Sequence, residues 1–303
     1  MTTPPVVAHR GLAARYPENT LAAFRHAAAL GYDCLHSFMD EVDRAQLRAA
    51  ILEKGLKPGI QAYREEHQFA TRGTNWNQVC NGGLGMGALA IADEEPGYAE
   101  HILSRGLASL RRAMETYSPD GGWDEGPMYW HYGTRYLIYL IQSLKIALGD
   151  DFGLINLPGF DCAGDYRMQY IGPLGRTFNY SDCEDSAGGT PEMFWLGRTF
   201  DKPVYFWHQR QWIDDDHIDH RNKPRNEGAV AQDLLWFEGG QEDPPNLPLD
   251  SLFRKIEVAF FRSSWHDKDA LFVGFKGGEG AVSHGHMDLG CFVVDALGKR
   301  WAL

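Results

Sequence analysis

The sequence predicts an α+β protein of more than one domain, in which a long helical region is followed by strands of an antiparallel sheet. Apolar residues recur at helical spacing through most of residues 38–243. After a proline-rich stretch at residues 244–248, the pattern changes to short runs of β-branched and aromatic residues. The prolines mark the predicted linker. We therefore divide the chain into residues 1–37, 38–243 and 250–303.

Residues 1–37 differ in pattern from the rest of the chain. A short apolar strand at residues 6–8 leads into His9-Arg10-Gly11, then into Pro17-Glu18-Asn19-Thr20 and an alanine-rich helix, which predicts a βα unit. These residues resemble the start of the glycerophosphodiester phosphodiesterases, a TIM-barrel family. The resemblance implies acid/base catalysis by His9 and metal binding by Glu18. It stops before residues 34–40, which lack the expected Glu-x-Asp metal ligands, and no repeated βα units follow.

Five amphipathic helices are predicted between residues 40 and 149. Asp40 is the expected N-cap of the first, and Gly55 its expected end. The others are expected at residues 60–69, 81–91, 96–117 and 129–148, the last ended by Gly149. Shorter helices are expected near residues 191–197 and 229–237.

Antiparallel strands are predicted after the linker. Residues 256–262 and 270–275 are expected to pair through a turn at 265–269, and residues 290–295 and 299–303 to form a hairpin around 296–298. The last residues fall within a strand, so we expect an incomplete sheet with an unpaired edge and exposed apolar surface. Weak stability or self-association, including a homo-oligomer, follows as an expectation.

Composition excludes some classes of function. The chain has 303 residues and a formal net charge of -12, which argues against a nucleic-acid partner because phosphate binding needs a basic surface. Its five cysteines are widely spaced and form no C-x-x-C, so we expect neither a disulfide framework nor a zinc ribbon. We expect no membrane span and see no signal peptide, and the compartment stays open.

Residues 75–83 combine three asparagines and a glutamine just before a predicted helix. One interpretation is structural, because Asn and Gly favour caps and turns. The other is functional: amide groups aimed at a substrate carboxylate would neutralise it without adding a competing base.

Residues 120–132 join a glycine turn to four aromatic residues, three acids and a histidine. Most aromatic side chains belong to a core. The same rings, with Glu125 and His131, would also suit a sugar-binding cleft, where ring faces stack on pyranoses and polar atoms fix hydroxyls.

His284 and His286 stand two residues apart, shortly before an apolar strand. In an extended backbone, residues i and i+2 point to the same face, so both imidazoles are expected to enter one site. Asp288 lies close by in sequence. The run at residues 214–220 is also rich in Asp and His, but we interpret it as a solvated acidic loop.

Together, residues 75–83, 120–129 and 284–288 resemble the heparinase II/III-like polysaccharide lyases over residues 40–303. The resemblance implies an incomplete (α/α) toroid followed by a truncated antiparallel β-sandwich. It also implies β-elimination at uronic acid residues of an acidic polysaccharide or oligosaccharide. Members of the family are often periplasmic or secreted.

The resemblance also implies roles for individual residues. Asn75, with Asn77 as second choice, would neutralise the uronate carboxylate. Tyr129, with Tyr132 as fallback, would abstract the C5 proton or protonate the leaving oxygen, with His284 as its acid/base partner. A neighbouring imidazole or cation is expected to lower the pKa of the phenol. The side chains expected to bind substrate are Asn77, Trp123, Glu125, Trp130 and Tyr132.

His286 matches a position that binds structural zinc in some members of this family. The partners there include an Asp on the following strand and a later His, so the zinc site is expected to be incomplete. Two alternatives to the lyase stay open. They are a truncated, non-catalytic sugar-binding remnant and a metal-dependent glycerophosphodiester hydrolase.

Overall fold

The computed structural model describes residues 31–33, 35–213, 229–237 and 247–302, without the side chains of residues 229–231. The predicted βα unit up to residue 30, the acidic loop at 214–220 and most of the predicted linker lie outside these ranges. Within them, helices precede an antiparallel sheet, as the sequence predicts. None of the described helices is long and apolar enough to cross a bilayer.

The described helices are numbered here in chain order. They are α1 Glu41–Ile51, α2 Lys57–Arg64, α3 Gln68–Thr71, α4 Asn75–Ala90, α5 Pro96–Met114, α6 Pro127–Leu148, α7 Ala163–Gln169, α8 Glu192–Thr199, α9 Pro203–Arg210 and α10 Ala229–Trp236. The strands are β1 Asp250–Phe253, β2 Val258–Arg262, β3 Phe272–Lys276, β4 Phe292–Ala296 and β5 Lys299–Ala302.

The chain divides into two compact units. The first comprises the chain up to Ala113 and residues 136–154, and the second comprises residues 114–135 and the chain from Ile155 onward. The sheet shares its unit with α7 to α9, and its inner face packs on α7 and on the loop after it through the ring contacts of Phe253 with Tyr166 and of Phe260 with Phe178. The domain boundary predicted between residues 38–243 and residues 250–303 stays a prediction.

The first unit is built on buried apolar residues of α1 to α5. Its core includes Ile51, Leu56, Leu84 and Ile102. Asp40 caps α1 as predicted, accepting a hydrogen bond from the Asp43 amide. The spacing of these buried residues along the chain agrees with the amphipathic pattern of the sequence.

Gly55 does not end the first helix, contrary to the prediction. The backbone continues through a π-helical turn at Leu52–Leu56, in which the Lys57 amide bonds the Leu52 carbonyl. Pro58 follows at once and cannot donate an amide hydrogen bond, so the widened turn accommodates it. The helix predicted at residues 60–69, in contrast, is divided between α2 and α3. Glu66 lies between these two helices and adopts a positive φ of 51°.

Helix α4 begins at Asn75, so the segment predicted to precede a helix lies inside one. Thr74 is its N-cap. Low helix propensity is overridden here by packing: a Cβ on Gly85 would lie 2.6 Å from Leu140, and one on Gly82 would lie 2.8 Å from the Tyr136 carbonyl. The glycines therefore allow α4 to approach the second half of α6 closely.

The second unit carries a five-stranded sheet with order β1-β2-β3-β4-β5 and all neighbours antiparallel. Strand β1 is absent from the sequence prediction. The hairpin of β4 and β5 is confirmed, and Leu297 and Gly298 take φ of 53° and 70° in its turn. Two successive positive φ values are typical of a type I′ hairpin turn.

The two faces of the sheet differ in environment. Val258, Phe260 and Phe272 are fully buried on the inner face. The opposite face exposes one apolar side chain from each of the first four strands. These are Leu252, Phe261, Phe275 and Phe292, exposed by 53%, 45%, 43% and 47%. Within the described residues a single sheet is present, and no second layer covers this face.

Candidate active site

The first turn of α6 places Tyr129 in the second unit. Gly126 takes φ of 92°, which turns the chain from the loop into the helix, and Pro127 opens the helix with the φ that its ring imposes. A Cβ on Gly126 would lie 3.3 Å from the Ser181 side chain. The start of α6 therefore packs closely against the turn at residues 180–183.

His284 and His286 lie in the loop between β3 and β4, not in an extended strand as the sequence predicts. His284 adopts φ of 59° and the Gly285 amide bonds the Val282 carbonyl, so the backbone turns sharply at the motif. Both imidazoles nevertheless reach one carboxylate, that of Asp182. Loop geometry, and not strand alternation, brings the two side chains to a common point.

The rings of Tyr129 and His284 stack. Their centroids lie 3.7 Å apart and their planes are inclined by 15°. The pair that the sequence predicts as acid/base partners is thus in direct contact within one unit.

The surroundings of Tyr129 raise the pKa of its phenol, whereas the sequence led us to expect a lowered value. Burial is the largest cause, followed by the negative charges of Asp182 and Glu125. Both effects disfavour the phenolate. Tyr129 therefore keeps its phenolic proton at neutral pH.

Asp182 binds both imidazoles. His284 Nδ1 lies 2.9 Å from one carboxylate oxygen, and His286 Nε2 lies 2.6 Å from the other. The hydrogen bonds from His286 and then from His284 lower the pKa of Asp182, so the carboxylate is ionised at neutral pH. An ionised carboxylate only accepts, which means that Nδ1 of His284 and Nε2 of His286 carry the protons.

In the form of His284 that carries one ring proton, this assignment leaves the lone pair on Nε2. Within the described part of the chain, that nitrogen makes no hydrogen bond. An imidazole held at Nδ1 by a carboxylate, with Nε2 open, is suited to act as a general base.

Lys276 and Asp288 anchor the turn that carries Asp182. Lys276, only 2% exposed at the end of β3, donates to one oxygen of Asp288. The other oxygen accepts from the Ser181 amide at 2.8 Å. Burial alone would raise the pKa of Asp288, but the bonds from Lys276 and Ser181 outweigh it and lower the value.

A cavity of about 180 Å³ adjoins the histidine loop. Its walls include Tyr180, Ser181, His286, Asp288 and Phe292. It is smaller than the ~300–1,000 Å³ of ordinary ligand pockets.

Most of the other predicted substrate-binding side chains in this unit are placed in the core. Trp123 and Trp130 are fully buried, Trp123 against Tyr117. Glu125 is 1% exposed and accepts a hydrogen bond of 3.1 Å from the Trp123 indole. Only Tyr132 keeps part of its surface exposed. A sugar-binding role for the two tryptophans and Glu125 stays a prediction, one that their burial does not favour.

His131 belongs to a buried charge cluster with Arg135 and Glu192. Arg135 donates to Glu192 at 2.7 Å and also contacts Nε2 of His131. Burial first, and then the charge of Arg135, lowers the pKa of His131 to about 4. Burial would raise the pKa of Glu192, but Arg135 and His131 lower it to about 2. His131 is therefore neutral and Glu192 ionised, which suits a structural ion pair.

Asn75 and Asn77 lie in the first unit, and both are fully buried. The Asn77 amide donates to the Ser109 hydroxyl at 2.9 Å and to its carbonyl at 3.2 Å. The Ser109 hydroxyl also receives the amide of Asn81 at 3.0 Å. Asn77 thus has an internal structural partner, and the predicted roles of both residues in neutralising a carboxylate stay predictions.

The predicted zinc ligand His286 does not meet further ligands in this arrangement. Its Nε2 proton points at Asp182, and within residues 31–213, 229–237 and 247–302 no three His, Cys, Asp or Glu side chains are grouped to hold a metal. The acid on the following strand, Asp295, is fully buried and bonds Arg300 through both oxygens. The described residues therefore do not fit the zinc site, and we derive no chemistry from it.

Asp182 is the site residue that sequence reasoning missed. It stands in a short polar run, residues 179–185, that follows no helical or strand period. An acid in such a run is usually a solvated loop residue, so its contact with the two histidines could be found only from the tertiary structure.

Comparison with solved structures shows the fold that this chain shares. It resembles a heparinase III gene product with methylated lysines, with a TM-score of 0.60 and 13% identity over 93% of this chain and 39% of the other. It resembles the heparan sulfate lyase HepC from Pedobacter heparinus with a TM-score of 0.58 and 14% identity, over 93% and 40%. A further heparinase III gives a TM-score of 0.62 at 13% identity, over 93% and 42%.

The chain spans about two fifths of the length of each of these structures. At such low identity the likeness shows the fold alone. The glycerophosphoryl diester phosphodiesterase family model matches residues 9–36, in agreement with the resemblance seen in the sequence. No curated protein matches the chain.

Proposed function

We propose that this protein is a polysaccharide lyase that cleaves uronic-acid-containing polymers by β-elimination. The observation that carries the proposal is the stacked pair of Tyr129 and His284, with Asp182 bound to the Nδ1 edge of the imidazole. A proton donor and a proton acceptor are thus in contact, as a reaction that removes one proton and delivers another requires.

The reaction needs two proton transfers. A base takes the C5 proton of the uronate, the electron pair forms the C4–C5 double bond, and the C4–O glycosidic bond breaks. The leaving oxygen then takes a proton from an acid. The products are a new chain end and an unsaturated uronate, and no water or oxidant is consumed.

The electrostatics support one division of the two roles. We assign His284 Nε2 as the base, because Asp182 holds the ring at Nδ1 and stabilises the imidazolium that forms. We assign Tyr129 as the acid, because its raised pKa keeps the phenol protonated. The sequence left both directions open for Tyr129, and the local charges favour donation.

Carboxylate neutralisation is the remaining requirement. Removal of a C5 proton is slow unless the charge of the adjacent carboxylate is offset, because the developing carbanion places a second negative charge beside it. Asn75 remains our candidate for this task, with Asn77 less favoured because its amide bonds Ser109.

The fold likeness supports further structural proposals. We propose that the helices form part of an incomplete (α/α) toroid and that the sheet is one layer of a β-sandwich. The exposed apolar face formed by Leu252, Phe261, Phe275 and Phe292 supports the second proposal, since such faces usually pack against another sheet.

The substrate class follows from the same reasoning. Acidic polysaccharides or oligosaccharides are the proposed partners, and nucleic acid is not, given the net charge of -12. Heparin, heparan sulfate, alginate and hyaluronan differ in the substituents and linkages around the uronate, so they are the panel to test.

A simple assay tests the proposal. The protein is incubated with each polymer, and the ultraviolet absorbance of the conjugated unsaturated uronate is followed. A rise in absorbance with at least one polymer is the expected result. Binding without any rise would support the non-catalytic sugar-binding alternative and would overturn the lyase.

The match of residues 9–36 favours a second candidate, a glycerophosphodiester hydrolase. It is tested on the same preparation with glycerophosphodiesters and added calcium. Release of the alcohol, abolished by His9→Ala and unaffected by Tyr129→Phe, would assign that activity to the N-terminal segment.

A further inference from the structure

We propose that Asp182 is the positioning residue of this site. It fixes the tautomer and orientation of His284, and the Lys276–Asp288 ion pair holds it in place. The inference rests on the proposed function and deepens it, because it says how the imidazole is prepared for its role.

The contact geometry is the first step. The two oxygens of Asp182 are divided between two imidazoles, Nδ1 of His284 at 2.9 Å and Nε2 of His286 at 2.6 Å. With one oxygen held by each ring, the carboxylate cannot rotate without breaking a bond. His286 thereby orients Asp182, and Asp182 orients His284.

The ring of His284 is confined from two directions. Tyr129 covers its face at 3.7 Å, and Asp182 binds its Nδ1 edge. A face contact limits tilt, and an edge contact limits rotation in the plane. Among the described residues nothing bonds Nε2, so both contacts leave the same nitrogen open.

The turn that carries Asp182 is held by a separate set of bonds. Ser181 takes φ of 54°, a left-handed conformation that a serine adopts only when its neighbours compensate for the strain. The Ser181 amide donates to Asp288, and Asp288 is paired with the buried ammonium of Lys276. The Lys276 ammonium also lies 5.1 Å from the centre of the Tyr180 ring. Both residues preceding Asp182 are thus tied to one lysine.

One short motif therefore supplies both sides of the arrangement. His284 and His286 provide the rings that bind Asp182, and Asp288 provides the acceptor that holds the Asp182 turn. A change in the loop that moved the histidines would move the anchor with them. This arrangement keeps the two histidines and the Asp182 carboxylate in a fixed relative position.

The kinetic test is Asp182→Asn, which keeps the size of the side chain and removes its charge. We expect kcat to fall roughly 100-fold, the loss that about 1 Å of misplacement of a catalytic group can cause. KM should stay unchanged, because Asp182 acts through His284 and not on substrate. The matched control is Asp185→Asn, an acid of the same polar run that pairs with Arg176 and contacts neither histidine.

A second test needs no substrate. Nitrogen NMR of isotope-labelled histidine reports which ring nitrogen carries the proton. In the wild type, His284 should be in the Nδ1–H form, and Asp182→Asn should convert it to a mixture of tautomers. Asp182→Glu, which restores the charge, should recover the Nδ1–H form and serves if the Asn variant fails to fold.

The outcomes separate this inference from the proposed function. If the wild type eliminates no polymer but the tautomer depends on Asp182, the lyase proposal fails and the positioning contact stands as a structural one without a reaction to serve. If Asp182→Asn leaves the tautomer and kcat as in the wild type, the positioning role is overturned. Equal losses in Asp182→Asn and Asp185→Asn would also overturn it.

Discussion

The ring of Tyr129 lies against the ring of His284, with centroids 3.7 Å apart and planes inclined by 15°. One residue comes from the first turn of α6, and the other from the loop between β3 and β4. Stacking leaves the phenol oxygen and the imidazole nitrogens at the ring edges, where they can reach a common ligand. Three tests concern this pair, and further tests concern the predicted zinc, the buried ion pair and the sheet.

Replacing Tyr129 by Phe should abolish elimination and preserve polymer binding. The ring stays to stack on His284, but the proton that the leaving oxygen needs is gone, and loss of a general acid costs about 10²–10⁴-fold. The measurement is initial velocity by ultraviolet absorbance, with binding followed by calorimetry on the same polymer.

The fallback assignment is tested by Tyr132→Phe. Tyr132 lies three residues after Tyr129 on the same helix and is also partly exposed, so it is a matched comparison. If Tyr129 is the acid, the Tyr132 variant should keep activity within about threefold of the wild type. Loss of activity in the Tyr132 variant, with activity kept in the Tyr129 variant, would assign the acid role to Tyr132.

The alkaline pH profile should distinguish an acid from a base at Tyr129. Its pKa is raised above the usual 10, so the protonated phenol persists through pH 9 and kcat should stay flat from about pH 7.5 to 9. A phenol that had to lose its proton first would give a rate that climbs about tenfold per pH unit in that range. Such a climb would reverse the assignment of the two roles.

Treatment with a chelator tests the predicted zinc. Because the described residues offer His286 no further ligands, we expect full activity and unchanged melting temperature after dialysis against a chelator. Metal analysis of the purified protein should find no stoichiometric zinc. Stoichiometric zinc lost together with stability in His286→Ala would restore the metal site.

Acid should destabilise the second unit through His131 and Glu192. The pKa of His131 is about 4 in the fold against 6.5 in the unfolded chain, so stability is lost as pH falls from about 6.5 through 4. The pKa of Glu192 is about 2 against 4.5, so its contribution is lost below about pH 4.5. Both signs agree, and the melting temperature should decrease steadily on acidification.

His131→Gln isolates the first of these two contributions. Glutamine does not titrate, so this variant should lose less melting temperature than the wild type between pH 7 and pH 4.5. The exposed His266, changed to Gln, is the control and should follow the wild-type profile. Parallel curves for wild type and His131→Gln would contradict the assignment.

Arg262 should be the most costly single side chain of the sheet to remove. It is 7% exposed, lies 3.5 Å over the Trp265 ring and donates at 3.0 Å to the carbonyl of Gln169, at the end of α7. Burial lowers the pKa of Arg262 to about 9, so it remains charged at neutral pH. Arg262→Met leaves buried carbonyls without a donor and should cost about 2–4 kcal/mol in the free energy of unfolding.

Denaturant unfolding measures this difference. Arg254→Met, an exposed arginine at the end of β1, is the matched control and should change the free energy of unfolding by no more than about 0.5 kcal/mol. Equal effects of the two substitutions would show that Arg262 is not the clamp between the sheet and α7.

Periodic patterns carried most of the fold prediction. The spacing of apolar residues located α5 and α6 well, and Pro96 and Gly149 marked real boundaries. The hairpin of β4 and β5 followed from its turn residues. These features depend on interactions between residues close in sequence, which a local pattern records.

Local patterns failed where long-range packing decided the backbone. Gly55 reads as a helix stop, yet the chain passes through a π turn. The pattern of residues 75–83 predicts a loop before a helix. These residues lie inside α4 because their glycines allow Leu140 and Tyr136 to pack closely against the helix. In both cases a weak local preference of about 1 kcal/mol is smaller than the gain from burying the segment.

Local patterns predicted helices followed by strands, the two histidines as a pair and Tyr129 as a candidate beside them, but they missed β1. The contact of Asp182 with the two histidines, the open Nε2 of His284 and the raised pKa of Tyr129 came from the three-dimensional arrangement. Those three properties depend on distances and burial between residues far apart in the chain. A charge or a hydrogen bond acts through space, so no spacing along the sequence could have revealed them.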